Sequence, residues 1–275
     1  MAGVSSESLK AALAEVEPKL ATAPLSLATE LFGILEVLDG SAGLRRAVTD
    51  PSRSAEEKSG LIRGILAGRV SADAEQIASS LAASRWADAR DIGDALETIA
   101  ATVAIAVAES KGAAAGGGAS GLEALENDLF AFNTVVGSSH ELQSALADQA
   151  ANPEKKAELA RKLVPGASDE AQLLIRQAVV APRGVKPVKL VERFAELAAK
   201  RQERWIATVD VTRPLTEEQF GRLQAGLNAL YGRDLKVNVA VDPELIGGIR
   251  VKVGDEVVDA SVLTKLGELR RKLVS

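Results

Sequence analysis

One register runs through most of the chain. Leu31-Phe32 returns as Leu129-Phe130, and the same offset of 98 relates Leu44, Ala47 and Asp50 to Leu142, Ala145 and Asp148. It also relates Glu56, Lys58, Leu61 and Arg63 to Glu154, Lys156, Leu159 and Arg161, and Ile92, Leu96 and Ile99 to Leu190, Phe194 and Leu197. An offset held over about seventy residues marks a duplicated structural unit. Within each copy the apolar residues recur at three and four, the spacing of amphipathic helices. Two copies of a small helical bundle are therefore expected.

The spacing predicts helices over residues 8–20, 25–38, 44–48, 55–66, 72–84 and 88–109. Pro18 should end or bend the first. Ser54 with Glu57 fits a capping box, in which each side chain satisfies the other residue's backbone N–H. The helix over 88–109 would close the first copy and open the second. The second copy continues with helices over 122–136, 141–148, 153–163, 168–180 and 187–204. The glycine-rich stretch 112–121 then reads as a loop inside the second copy. From Trp205 the period changes to two. Strands are predicted over 206–211, 236–241 and 246–253, followed by a short one at Val257-Val258 and a last helix from Ser261. Thr216 with Gln219 is a second capping box, and Gly254-Asp255 reads as a hairpin turn. The fold class is mainly α: two tandem helical bundles followed by a small mixed α+β C-terminal domain. The domains span 1–109 (the extra copy), 88–204 (sharing the helix 88–109) and 205–275.

No catalytic constellation is visible. His140 is the single histidine, and it lies in a loop leading into a helix, as a solvated capping residue. Glu56-Glu57, Asp169-Glu170 and Glu217-Glu218 sit in first helical turns, where they complement the helix dipole. There is no cysteine, no metal-ligand spacing and no Walker-type loop, so no metal site and no cofactor are expected. Gly247-Gly248 lacks the spacing of a phosphate loop and reads as a bulge or close backbone approach. Trp86 and Trp205 read as packing residues, with Trp86 alternatively an interface anchor. A net charge of −5 argues against nucleic acid. The longest near-continuous apolar run, 99–108, is far shorter than the ~20 residues of a membrane span, and the N-terminus lacks an apolar signal core. On these grounds alone the chain is an alanine-rich helical adaptor, whose grooves could take amphipathic helices of cytosolic partners.

The C-terminal motifs are more specific. Asp242-Pro243-Glu244-Leu245-Ile246-Gly247-Gly248-Ile249, followed by Val253-Gly254-Asp255-Glu256-Val257-Val258-Asp259-Ala260-Ser261, resembles the C-terminal signature of the delta subunit family of bacterial F-type ATP synthases. The mitochondrial relative is the oligomycin-sensitivity-conferring protein. Ala260 stands where the family more often has glycine. Residues 129–204 are similar to the family's helical domain, so the chain resembles a long form with that domain duplicated.

The resemblance implies a non-catalytic peripheral-stalk, or stator, subunit at the cytoplasmic face of the cell membrane, in one copy per complex and without membrane insertion. It implies that the alpha/beta head is linked to b-type stalk helices, so that the head does not turn with the rotor. It places an N-terminal helix of an alpha subunit against the helices over 91–107 and 169–180, with Leu173, Arg176, Gln177 and Val180 as contacts. It places the stalk helices on the C-terminal domain, with Ile249, Val251, Leu266 and Leu269 as contacts. The extra copy would brace the stalk or grip a second alpha helix.

Overall fold

The computed structural model describes residues 3–148, 150–232, 235–242, 245, 248–254 and 256–259. Among them, twelve α-helices precede or interrupt four β-strands. The helices are α1 (Val4–Leu20), α2 (Leu25–Gly40), α3 (Ala42–Thr49), α4 (Ala55–Leu66), α5 (Ala72–Ala83), α6 (Asp91–Ala114), α7 (Ser120–Gly137), α8 (His140–Ala147), α9 (Pro153–Leu163), α10 (Asp169–Val180), α11 (Pro187–Gln202) and α12 (Glu217–Tyr231). The strands are β1 (Ile206–Val211), β2 (Lys236–Val241), β3 (Ile249–Val253) and β4 (Glu256–Asp259). The last predicted helix, with Leu266 and Leu269, lies outside the described residues.

The chain forms two units. The first comprises residues up to Lys111 and Ala124–Leu197, and the second Gly112–Glu123 and the chain from Ala198 onward. In the first unit the offset of 98 is repeated in the hydrogen bonds. The Ser41 hydroxyl caps α3 by accepting from the Leu44 N–H, and the Ser139 hydroxyl caps α8 by accepting from the Leu142 N–H. Asp50 Oδ1 accepts from the Ser52 N–H, and Asp148 Oδ1 from the Ala150 N–H. Glu30 on α2 accepts from both the N–H and the hydroxyl of Ser71, the N-cap of α5. Asp128 on α7 accepts from both groups of Ser168, the N-cap of α10, one residue short of the offset. Such caps satisfy backbone donors that a helix leaves open, at about 1 kcal/mol each. The same local solutions recur at these positions.

Helix α6 is buried along its middle, and its composition suits that. Ile99, Ala100, Ala101, Val103, Ala104, Ile105 and Ala106 are all at most 1% exposed, on every side of the helix. A helix apolar all round must be buried all round. Alanines at half of these positions let neighbouring backbones come close.

Three boundaries differ from the sequence reading. Pro18 lies inside α1 rather than ending it. Near a helix end it costs only the bond to one carbonyl. Helix α6 runs on to Ala114 and α7 begins at Ser120, so both helices take up much of the glycine stretch. Gly112 is needed because a Cβ there would overlap the Gly121 backbone, and Gly116 and Gly118 turn the chain at φ 76° and 55°. Finally, His140 is the first residue of α8, and Ser139 does the capping.

In the second unit the sheet order is β2-β1-β3-β4, with β1 parallel to β2 and antiparallel to β3. The parallel pair needs a crossover, and α12 supplies it. The Thr216–Gln219 capping box opens α12, and Gly232 closes it in the left-handed region. Ala207, Val209, Val211, Leu227, Leu235, Val251 and Val253 form the core between this helix and the sheet.

Candidate partner-binding site

Helices α9 and α10 lie side by side and leave an open groove of about 350 Å³ between them. Its apolar lining comes from Ala157 and Ala160 on α9 and Leu173 and Ile175 on α10. Its rim is charged: Glu154, Glu158, Arg161 and Arg176. Arg176 donates to Glu154 Oε1 at 2.8 Å and so ties the two helices at one end. Both side chains are at least half exposed, so this pair adds little stability and is available to rearrange. An apolar floor with charges of both signs at the rim suits the apolar stripe of a partner helix.

The first copy has an equivalent groove between α4 and α5, of about 330 Å³. Its lining is different in kind: Ser59, Arg63, Glu75, Gln76, Ser79 and Ser80 stand among two alanines. The duplication has kept the helices and changed the surface.

The proposed contact residues divide. Leu173 and Arg176 line the α9–α10 groove. Gln177 is buried beside Glu97 of α6, and half-buried Val180 is not among the residues lining the groove. Ile249 packs against the sheet core, and Val251 belongs to that core. Trp86 is buried with its indole N–H donated to the Leu81 carbonyl at 2.8 Å, which is a packing role. Glu170, read from sequence as a first-turn residue that complements the helix dipole, is 1% exposed and pairs with Lys111 at 2.5 Å. This pair fastens α10 to α6.

A cluster that sequence reasoning missed lies beneath α10. Arg183, in the turn between α10 and α11, is ion-paired with Asp39 of α2 at 2.7 Å and with Asp94 of α6 at 2.6 Å. Glu97 of α6 stands 3.8 Å from the same guanidinium. Burial pushes the Glu97 carboxyl up to about 7, with Arg183 opposing the rise. The available signal was Gly93, a glycine inside a helix, where glycine is disfavoured unless something approaches closely. Here the Arg183 guanidinium does, and a Cβ at Gly93 would overlap its Nη2.

Among the described residues no group of acidic or histidine side chains could hold a metal ion, and no helix is long and apolar enough to cross a membrane.

Comparison with known proteins assigns the family. Residues 105–273 match the family model described as ATP synthase delta (OSCP) subunit. The chain is 68% identical over 273 residues to the ATP synthase subunit delta of Pseudarthrobacter chlorophenolicus, covering 99% of each. It is 69% identical over 273 residues to that of an Arthrobacter species, again covering 99% of each, and 45% identical over the same length to that of Kocuria rhizophila. The relatives therefore align along the extra copy as well, although the family model begins within α6. The chain belongs to the delta (OSCP) family of ATP synthase subunits, a non-catalytic stalk family.

Proposed function

We propose that the chain is the stator element that ties the catalytic head to the peripheral stalk on the cytoplasmic face of the membrane. The helical part would hold the N-terminal helix of an alpha subunit. The C-terminal part would hold the ends of the membrane-anchored b-type stalk helices. The observation that carries this reading is the open α9–α10 groove, with Leu173 and Ile175 on its floor and Arg176 at its rim. A stator performs no reaction. It resists torque, and a well-packed interface does that without any reactive group.

Leu173 and Arg176 are the residues on which the alpha-subunit contact rests. Gln177 and Val180 would support α10 from its other side. Ile249 and Val251 would act on the stalk by holding the sheet in shape, since both pack in its core. Exposed apolar side chains in the same unit include Val257 at 55% and Val258 at 42%, both on β4, besides Leu230 on α12 and Val241 on β2. The β4 pair extends the proposed stalk surface to the sheet edge.

The test is calorimetric titration of the full chain with a synthetic peptide of the alpha subunit's N-terminal helix from the same organism. Saturable one-to-one binding is expected, weakened at least tenfold by Leu173→Asp, which puts a charge on the apolar floor, a cost of more than about 1.4 kcal/mol. Binding unchanged by Leu173→Asp would move the site elsewhere on the helical part. No binding at all would overturn the reading.

A further inference from the structure

Arg183 joins the two helical copies by charge. Arg183 belongs to the second copy and Asp39 to the first, and they meet at 2.7 Å where α2 packs on α10. Asp94 and Glu97 come from the shared helix α6. The arrangement is held under constraint. Arg183 has φ 50°, the one non-glycine residue in the left-handed region among the described residues, and yet its side chain is only 8% exposed. An L-residue there costs about 1–2 kcal/mol, so surrounding contacts must hold it in place. They do: Arg90 donates to the Arg183 carbonyl, Gly93 leaves room for the guanidinium, and Leu35 of α2 closes the other side of Gly93.

We propose that Arg183 and Glu97 form a proton-linked clamp, which holds the first helical copy on the second and controls access to the face of α6 and α10 that α2 now covers. This inference stands independently of the stator reading.

One guanidinium faces three carboxylates. The two aspartates take the short contacts, and Glu97 is left at 3.8 Å. Two more cations stand farther out: Arg45 of α3 is 3.8 Å from Asp39, and Arg90 is 4.0 Å from Asp94. From α10, Glu97 is faced by the neutral carboxamide of Gln177. Glu97 Oε1 and Gln177 Nε2 are both buried, close enough to favour each other weakly but without full hydrogen-bond geometry. A buried carboxylate so poorly paired is costly, whereas a protonated one is tolerated. Burial therefore raises the carboxyl to about 7. Asp94 and Asp39 add to the rise, while Arg183 and Gln177 oppose it.

The consequence follows by linkage. With α2 seated, Glu97 holds its proton up to near neutrality. With α2 lifted, water reaches the carboxyl, which then titrates in the ordinary range and releases its proton to solvent. Raising the pH from 6 to 8 therefore shifts the equilibrium towards the lifted form by about tenfold. The face uncovered carries Gly93, Glu97 and Gln177 between α6 and α10, a surface unlike the α9–α10 groove in position and in charge.

Amide hydrogen exchange of the full chain at pH 6 and pH 8, corrected for the intrinsic rate, reads this directly. Amides of α2 and α10 are expected to open about tenfold more at pH 8 than at pH 6. Glu97→Gln should abolish that difference and keep both helices protected. Gly93→Ala favours the helix but displaces the guanidinium, so it should raise opening at both pH values. If that variant does not fold, as judged by its circular dichroism, Asp39→Asn makes the same test by removing the charge opposite Arg183. Equal protection at the two pH values in the unmodified chain would overturn the clamp. So would a Glu97→Gln variant that keeps the full pH dependence.

Discussion

At the scale of the residue, burial decides chemistry more than residue type does. Glu97 and Glu56 are both glutamates on helices of this chain, but only Glu97 lies in the interior, and its carboxyl is raised to about 7. The sign of the effect on stability is fixed. The native chain binds the proton more tightly than the unfolded chain, so Glu97 lowers stability as pH rises from about 4.5 to about 7, and the loss is complete above that. Glu97→Gln removes the penalty. Thermal denaturation at pH 8 should show the variant more stable than the parent by on the order of 3 kcal/mol, with the two converging near pH 4.5. A variant less stable than its parent at pH 8 would mean that the ionised carboxylate is an asset. The caps make a second residue-scale case. Ser139→Ala leaves the Leu142 N–H without its acceptor and should lower stability by about 1 kcal/mol in urea denaturation, with an unchanged dependence on urea.

At the scale of the element, identical sequence positions meet different surroundings. Phe32 on α2 and Phe130 on α7 occupy the same place in the repeat, yet Phe32 is 6% exposed and Phe130 is 72% exposed. The difference lies in what covers each side chain: α2 packs on α3, α5 and α10, and Phe32 is covered where Phe130 on α7 is not. Phe32→Ala should therefore cost about 3–5 kcal/mol, while Phe130→Ala should change stability by less than about 0.5 kcal/mol. Chemical denaturation of the two variants measures both, and similar losses would show that the α7 face is covered after all. This contrast marks the boundary of what the sequence could convey. Helical spacing at Leu31, Leu35 and Leu38 identifies an inward face, and Ser54 with Glu57 announces a helix start, because those are local interactions within four residues. The Arg183–Asp39 contact joins residues 144 positions apart, and no local pattern encodes it. Likewise the order Leu173, Arg176, Gln177, Val180 identifies one helix, but only the packing shows that Leu173 and Arg176 look into the α9 groove while Gln177 looks towards α6.

At the scale of the whole molecule, the recurrence at an offset of 98 is a matter of register, and the fold class was legible because the period changes at Trp205. What the register could not say is whether the copies are independent. Helix α6 argues that they are not. Its central residues are buried on all sides, and Ser5 of α1 binds Asp91 at its start with a 2.6 Å hydrogen bond. A chain beginning at residue 88 would keep the matched family region and lose α1–α5. It would then expose to water the side of α6 that these helices cover, together with the α10 surface under α2. The α6 side is apolar along residues 99–106, whereas the part under α2 carries Gly93, Glu97 and Gln177; exposed apolar surface beyond a few hundred Å² drives association. The shortened chain should therefore bind a hydrophobic dye such as anilinonaphthalene sulfonate and sediment as oligomers, while the full chain stays dye-silent and sediments as a single species. If the shortened chain is monomeric and dye-silent, α6 needs no cover from the first copy, and the extra bundle must be retained for the partner it holds rather than for the packing it completes.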